Sequence, residues 1–288
     1  MASTERADGY TEIENAAMRA RYASVFAPPS WSGRLFAAAA LALLVFGLWH
    51  LGFSASRFIN GVGSLGKLIV LMFPPEWGDS ATLWRFVKSL GETVAIAFLG
   101  TLLAAVIALP LSLIAARNTT VSRILRFFTR RSFDTLRGVD TLVWALIWVN
   151  VVGLGPFAGV LAIAISDIGS LGKLFSEAIE ASDHRSVEGV KASGGAKLHT
   201  IRFGLLPQVA PVLIGQCLYY FESNTRSATI IGIVGAGGIG LQLSEQIRTL
   251  EWQKVALLII MILITVSIID HVSTRLRNAI AGSKATAI

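Results

Sequence analysis

The run Phe221-Glu222-Ser223-Asn224-Thr225-Arg226-Ser227 sets a carboxylate and a guanidinium four residues apart in an otherwise apolar stretch. On a helix that spacing puts both on one face, where they can pair. Ionisable groups at membrane depth usually face a bundle interior or a water-filled path. Two readings follow: a structural pair in which Glu222 orients Arg226, or an Arg226 that attracts and passes an anion, with Asn224 and Ser227 beside it. Downstream, Gly235-Ala236-Gly237-Gly238-Ile239-Gly240 spells G-x-G-x-x-G. A dinucleotide site also needs a preceding strand and an acidic residue about 20 positions later in a βαβ unit. This run lies between two apolar blocks, so that reading fails. Gly237 and Gly238 are left either as close-packing positions or as exposed amides lining a path for an anion.

Other arrangements point away from catalysis. Gly61-x-x-x-x-Gly66-Lys67 approaches a phosphate-binding loop, but Leu68 stands where a Ser or Thr would hold magnesium. Intrinsic ATP hydrolysis is therefore not expected of this chain, and any nucleotide must be handled by a partner. Asp183-His184 and Asp270-His271 are adjacent pairs, unlike the i, i+4 ligands of a helical metal site, and no Ser-His-Asp order is present. No catalytic residue and no metal ligand are assigned. Asp167 and Asn150 interrupt apolar windows and are read as interhelical hydrogen-bonding groups, with a place in a pathway as the alternative.

Between two apolar blocks lies a polar, Gly-interrupted segment running from Glu188 to Pro207. Glu188, Gly194 six residues on, and Leu206-Pro207 beyond it fit E-x-x-x-x-x-G-x(11)-L-P. The pattern predicts a short helix, a reversal at Gly194-Gly195, a second short helix, and a proline that pre-sets the first turn of a long helix. Such a protrusion suits a membrane protein that presses against a soluble motor, although an ordinary amphipathic loop would share its composition.

The elements that must hold these residues are membrane spans. Of 288 residues, 53% are hydrophobic and only 15% charged, against about 25% charged in ordinary soluble domains. A span needs about 20 mostly apolar residues, and such windows occur at 34–53, 92–114, 139–154, 156–175, 208–226 and 253–272. The third and fourth are separated by Gly153 and Gly155-Pro156 and read as a tight hairpin at the far face. Six spans leave both termini on one side. With that side cytoplasmic, its segments hold 18 of the 25 Lys and Arg, as the positive-inside bias requires. The loop carrying Arg117, Arg123, Arg126, Arg130, Arg131 and Arg137 decides the sign. Residues 54–88 are expected to be an interfacial or re-entrant piece on the outer face, with Trp77 and Trp84 at headgroup depth. Pro110 predicts a kink in the second span. Cys217, the single cysteine, reads as a small buried thiol.

The expected organisation is a cytoplasmic extension over 1–33 and a first span with its outer-face segment over 34–90. A core over 91–272 follows, containing the loop 177–207, and then a cytoplasmic tail over 273–288. The extension is polar, mixed in sign and too acidic for a signal peptide. It is expected to be retained and partly helical.

The loop pattern resembles the coupling loop of ABC importer permeases, and several blocks together resemble the phosphonate-type ABC importer permease family (PhnE). These blocks are Phe73-Pro74-Pro75, Ala115-Ala116-Arg117-Asn118, Val152 to Ala162, Gly172-Lys173-Leu174, Leu206-Pro207-Gln208-Val209 and Phe221 to Gly240. The sequence departs from the family in its long amino-terminal extension and in Glu188-Gly189-Val190, where the wider superfamily has Glu-Ala-Ala. The resemblance implies an all-α, MetI-like type I permease fold and a homodimer in the plasma membrane of a bacterium. It further implies two copies of a cytoplasmic ATPase and an extracytoplasmic binding protein delivering phosphonate, phosphate or phosphite. It assigns ATPase coupling to Arg185, Glu188, Gly194, Gly195, Leu206 and Pro207. Two rival classes, an ion-coupled carrier and a polytopic membrane enzyme, lack their signatures: no large inverted repeat with broken spans in matching positions, and no His with a paired acid or basic phosphate cluster on one face.

Overall fold

The computed structural model describes residues 31–120 and 122–282. The expected partly helical extension thus falls, up to residue 30, outside the described residues, as do residues 283–288 of the tail. Among the described residues every regular element is helical. The chain divides into two compact units, Met1–Lys67 and Leu68–Ile288.

In the first unit α1 (Trp31–His50) is apolar on all sides and buries no residue. At about 1.5 Å per residue it is long enough for the hydrocarbon core. α2 (Ala55–Leu71) begins here and ends in the second unit. Gly61, Gly63 and Gly66 all sit inside it, so no loop exists to cradle a phosphate.

The second unit opens with α3 (Ser80–Ala115), whose first turn is capped by Asp79: its carboxylate accepts from Thr82 N at 2.9 Å. The helix starts twelve residues before the apolar window at 92 and continues through Pro110. The expected outer-face segment 54–88 therefore contains α2 and the first turns of α3, with Trp77 and Trp84 exposed. α3 buries a stripe of small residues, among them Ala97, Gly100, Ala104 and Ala108. A Cβ at Gly100 would come within 2.7 Å of Ile163 Cγ2, so the stripe permits close helix approach.

α4 (Arg123–Gly138) and α5 (Thr141–Val152) follow, meeting at 88°. α5 has 12 residues, about 18 Å, so the window at 139–154 is not a full span by itself. α6 (Pro156–Glu180) returns beside α5: Thr141 pairs with Ser166 and Ala145 packs with Ala162, as in an antiparallel hairpin. The turn uses Gly153 and Gly155, both at positive φ.

The chain then forms α7 (His184–Ala192) and α8 (Lys197–His199). A π-helical stretch, Thr200–Leu205, runs on into α9 (Leu206–Ile233). α10 (Gly238–Arg248) and α11 (Trp252–Gly282) complete the unit. Among the described residues five helices are long and apolar enough to cross a membrane, or six if the bent α4–α5 pair counts as one span. The six-window expectation thus holds in number only when a bend interrupts the third span.

Among the described residues three apolar clusters hold the unit. One joins Ala104 and Ala108 of α3, Leu171, Phe175 and Ile179 of α6, and Leu205, Val209 and Leu213. A second gathers Ile96, Ala97, Ala145, Ala162, Ile163, Ala228 and Ile231. The third ties Phe86 to Ile239 and Leu258. Cys217 is only half-buried at the edge of the first.

Candidate functional site

Two regions collect the residues singled out by the sequence. The first is the protrusion between α6 and α9. Asp183 caps α7, its carboxylate accepting from Arg185 N at 2.9 Å. Arg185 and Glu188 are exposed along the outer side. α7 ends in a reversal: Gly194 N donates to Lys191 O at 3.0 Å and Gly195 N to Val190 O at 3.0 Å. That bond pair is the Schellman closure, which places its left-handed residue where Gly194 has φ of +81°. Gly195 has another reason to be glycine, since a Cβ there would lie 2.7 Å from Val190 O.

The sequence predicted a second short helix separate from the long one. Instead α8 passes continuously through the π-helical stretch into α9. Leu206 N bonds Ile201 O, an i to i−5 bond, next to Pro207, which has no N–H to give. Pro207 lies in the first turn of α9, as the spacing required. Leu206 is exposed at the junction.

Side chains assigned no role in the protrusion by the sequence fasten it. Gln208 Oε1 accepts from Asp183 N at 3.1 Å, while its Nε2 donates to Gly204 O at 2.6 Å. One side chain thereby joins the start of α7 to the base of α9. Beneath it, Glu180 Oε1 accepts from Arg117 N at 2.6 Å and from Arg130 Nη2 at 2.7 Å. Asn118 Nδ2 donates to Ile179 O at 2.7 Å. A cavity of about 470 Å³, lined in part by Asn118, His184, Lys191 and Lys197, lies between this platform and the knob. Leu198 and Phe203 are exposed on the knob, with His199 stacked on Phe203. Exposed apolar groups beside Arg185 and Glu188 are what a docking surface presents.

The second region is polar and buried among α3, α6 and α9. Asn224 Nδ2 donates to Thr101 Oγ1 at 2.8 Å and also to Asp167 Oδ2. All three residues are buried, so an amide, a hydroxyl and a carboxyl link three helices. Asp167 therefore makes the interhelical bond expected of it. Asn150 does not: it is exposed, and its Nδ2 donates to Leu146 O of its own helix at 2.7 Å. An apolar window shows that a polar residue needs a partner, not which helix supplies it.

Nearby on α9, Glu222 is buried and Arg226 half exposed. Arg226 Nη1 lies 3.4 Å from Glu222 Oε1, and Arg277 Nη2 of α11 lies 3.1 Å from Glu222 Oε2. Two guanidiniums on one carboxylate leave the triad at net +1. Arg277, 55 residues away in sequence, could not be paired with Glu222 by local spacing. Ser227 donates to Ser223 O of its own helix and joins neither cluster.

Gly237 and Gly238 are in neither cluster. They turn the chain between α9 and α10 at φ of +83° and +69°. A Cβ on Gly237 would lie 2.8 Å from Pro156 N, and one on Gly238 would overlap Thr93 Oγ1. Ile239 N already donates to Thr93 Oγ1 at 2.7 Å. The space beside these glycines is filled by protein, which favours close packing over an open anion path.

The chain is similar to known proteins. The family model described as "Binding-protein-dependent transport system inner membrane component" matches residues 108–282. The protein named "Putative phosphite transport system permease protein HtxC" from Stutzerimonas stutzeri is 42% identical over 224 residues, 78% of this chain and 78% of its own. The phosphite transport system permease protein PtxC of the same organism is 34% identical over 241 residues, 82% of this chain and 86% of its own. Among solved structures, the inward-facing MetNI methionine ABC transporter contains a chain with TM-score 0.61 at 18% identity. That match covers 70% of this chain and 99% of that one; at such identity it establishes the fold alone.

Proposed function

The chain belongs to the family of binding-protein-dependent transport system inner membrane components, and from that membership we propose that it is the permease subunit of an ATP-driven importer for a phosphorus oxyanion: phosphonate, phosphate or phosphite. The observation that carries the proposal is the capped knob His184–Leu205, hinged at Gly194 and fused through its π-helical base to α9. The phosphite permeases among its relatives support the cargo class. In this reading it is a multi-pass protein of a bacterial inner membrane with both termini in the cytoplasm, an orientation supported by the Arg-rich loop.

The working assembly is a dimer of this chain with two copies of a cytoplasmic ABC ATPase and an extracytoplasmic binding protein. The ATPase, not this chain, holds ATP and Mg and performs hydrolysis. Closure of the ATPase pair moves the knobs. Gln208 and the continuous α8–α9 helix transmit that motion to the segment carrying Glu222, Asn224 and Arg226. A motor can shift the gate only by the difference in its affinity for the two gate states, so the knob needs contacts that differ between them. Arg226, half exposed on a triad of net +1, supplies a positive site for a passing anion; Glu222, itself paired with Arg277, holds it in place. Asn224 locks α3, α6 and α9 through Thr101 and Asp167.

Co-purification followed by reconstitution tests this. The chain should bring down an ATPase and a second copy of itself. Vesicles containing the complex should accumulate labelled phosphite or phosphonate only with ATP and loaded binding protein. Accumulation by the chain alone would make it a carrier, and release of phosphate from a lipid phosphate would make it an enzyme.

A further inference from the structure

α4 carries Arg123, Arg126, Arg130, Arg131 and Arg137 against a single acid, Asp134, within 16 residues. Two helices at 88° cannot both follow the bilayer normal. α5 has no charged residue and α4 has six, so α5 is the inserted arm of this bent span and α4 is the arm at the interface.

Its inner side is already engaged. Phe133 is buried against Gly169 and Gly172 of α6, Arg130 is held by Glu180, and Asp134 pairs with Lys173 at 3.2 Å. The side chains of Arg123 and Arg126 in its first turn are not. Arg123, Arg126, Phe127, Arg130 and Arg131, at helical spacing on one face, line a cavity of about 330 Å³. Arg126 Nε is buried there with no hydrogen-bond partner. Leaving a buried donor unmet is unfavourable, and a phosphate oxygen is the acceptor that guanidinium geometry suits best. Beside this basic face Ile124 is 71% and Phe128 63% exposed, with Leu125 half exposed. Large apolar groups flanking clustered arginines are the signature of a helix lying in the headgroup layer.

We propose that the Arg123–Arg131 face of α4 binds the phosphate headgroup of an anionic phospholipid in the cytoplasmic leaflet, with Ile124 and Phe128 among its acyl chains. Arg123 and Arg126 are the principal phosphate donors, because Arg130 is committed to Glu180 and Arg131 is shared with Asp134. The site anchors the platform on which the coupling knob sits, since Arg130 and Glu180 belong to both. The proposal rests on the membrane orientation above but not on the cargo or on transport itself.

The test measures retention of labelled phosphatidylglycerol and labelled phosphatidylcholine by the full chain, purified and returned to phosphatidylcholine vesicles. The wild type should retain phosphatidylglycerol selectively and lose it as salt rises. Each of Arg123→Gln and Arg126→Gln should weaken retention about fivefold, whereas Arg248→Gln on α10 should not change it. Equal retention of the two lipids by the wild type overturns the proposal, and that comparison stands even if either variant fails to insert. Displacement of the labelled lipid by millimolar inorganic phosphate makes free phosphate the ligand and also overturns it. Unchanged lipid retention in the variants with loss of the co-purifying ATPase would assign the face to a protein partner.

Discussion

Gly194→Ala separates the backbone conformation of the coupling knob from every other property of that position. A Cβ added there meets nothing within 4 Å, so alanine introduces no clash and removes no contact. What remains is the cost of holding an L-residue at φ of +81°, about 1–2 kcal/mol. That is about a 5- to 30-fold loss in the population of the closed cap. Asparagine tolerates the left-handed region better than alanine and should recover part of the loss. Proline fixes φ near −65° and deletes the N–H that bonds Lys191 O, so it should abolish the reversal. The assay is ATP-dependent anion uptake into vesicles containing the chain, its ATPase and the loaded binding protein, with membrane insertion and thermal unfolding measured alongside. The expected order of uptake is Gly, Asn, Ala, Pro, with insertion intact throughout. Wild-type uptake by both the Ala and Pro variants would refute the hinge. Asn as damaging as Pro would show that backbone conformation is not what the position supplies.

Other positions test the helix packing and the polar cluster. Gly172→Ala drives a methyl into the Phe133 ring and should destabilise the chain by about 1–3 kcal/mol in detergent unfolding, with Phe133→Leu restoring part of the loss. Asn224→Leu removes the donor shared by Thr101 and Asp167 and should cost about 1–3 kcal/mol. The further change Asp167→Leu should relieve part of that cost in a double-mutant cycle, and strict additivity would contradict the link. Arg226→Gln should lower uptake more than tenfold while ATPase co-purification is unchanged; normal uptake with lost co-purification would reverse the assignment.

The knob was legible because its signals are local. Gly194 and Pro207 act through their own backbones, and their spacing marks both ends of the excursion. Spans were legible where a long, mostly apolar run lies within one helix, as 156–175 does in α6 and 253–272 in α11. α3 begins earlier than its apolar window because a window measures hydropathy, whereas a helix needs only a cap and good formers. Arg85 and Lys88 lowered the score without interrupting the turns that Asp79 starts. The α4–α5 bend escaped for a similar reason: five arginines hide a helix from a hydropathy scan, and its partners Gly169, Gly172 and Glu180 are long-range. The Glu222–Arg226 pair could be read at i, i+4, but Arg277 and Thr101 reach that region only through the fold. The π-helical base of α9 left one trace, a proline whose missing N–H sits next to the i to i−5 bond.

The most direct measurement places a cysteine at Glu188 in a Cys217→Ser background and follows its labelling by a membrane-impermeant maleimide, then its cross-linking to the ATPase. Labelling from the cytoplasmic face only, with a cross-link whose yield changes on addition of ATP, is the result expected of a knob that receives work from a motor. Labelling only from the outer face, or a cross-link indifferent to nucleotide, would contradict the account.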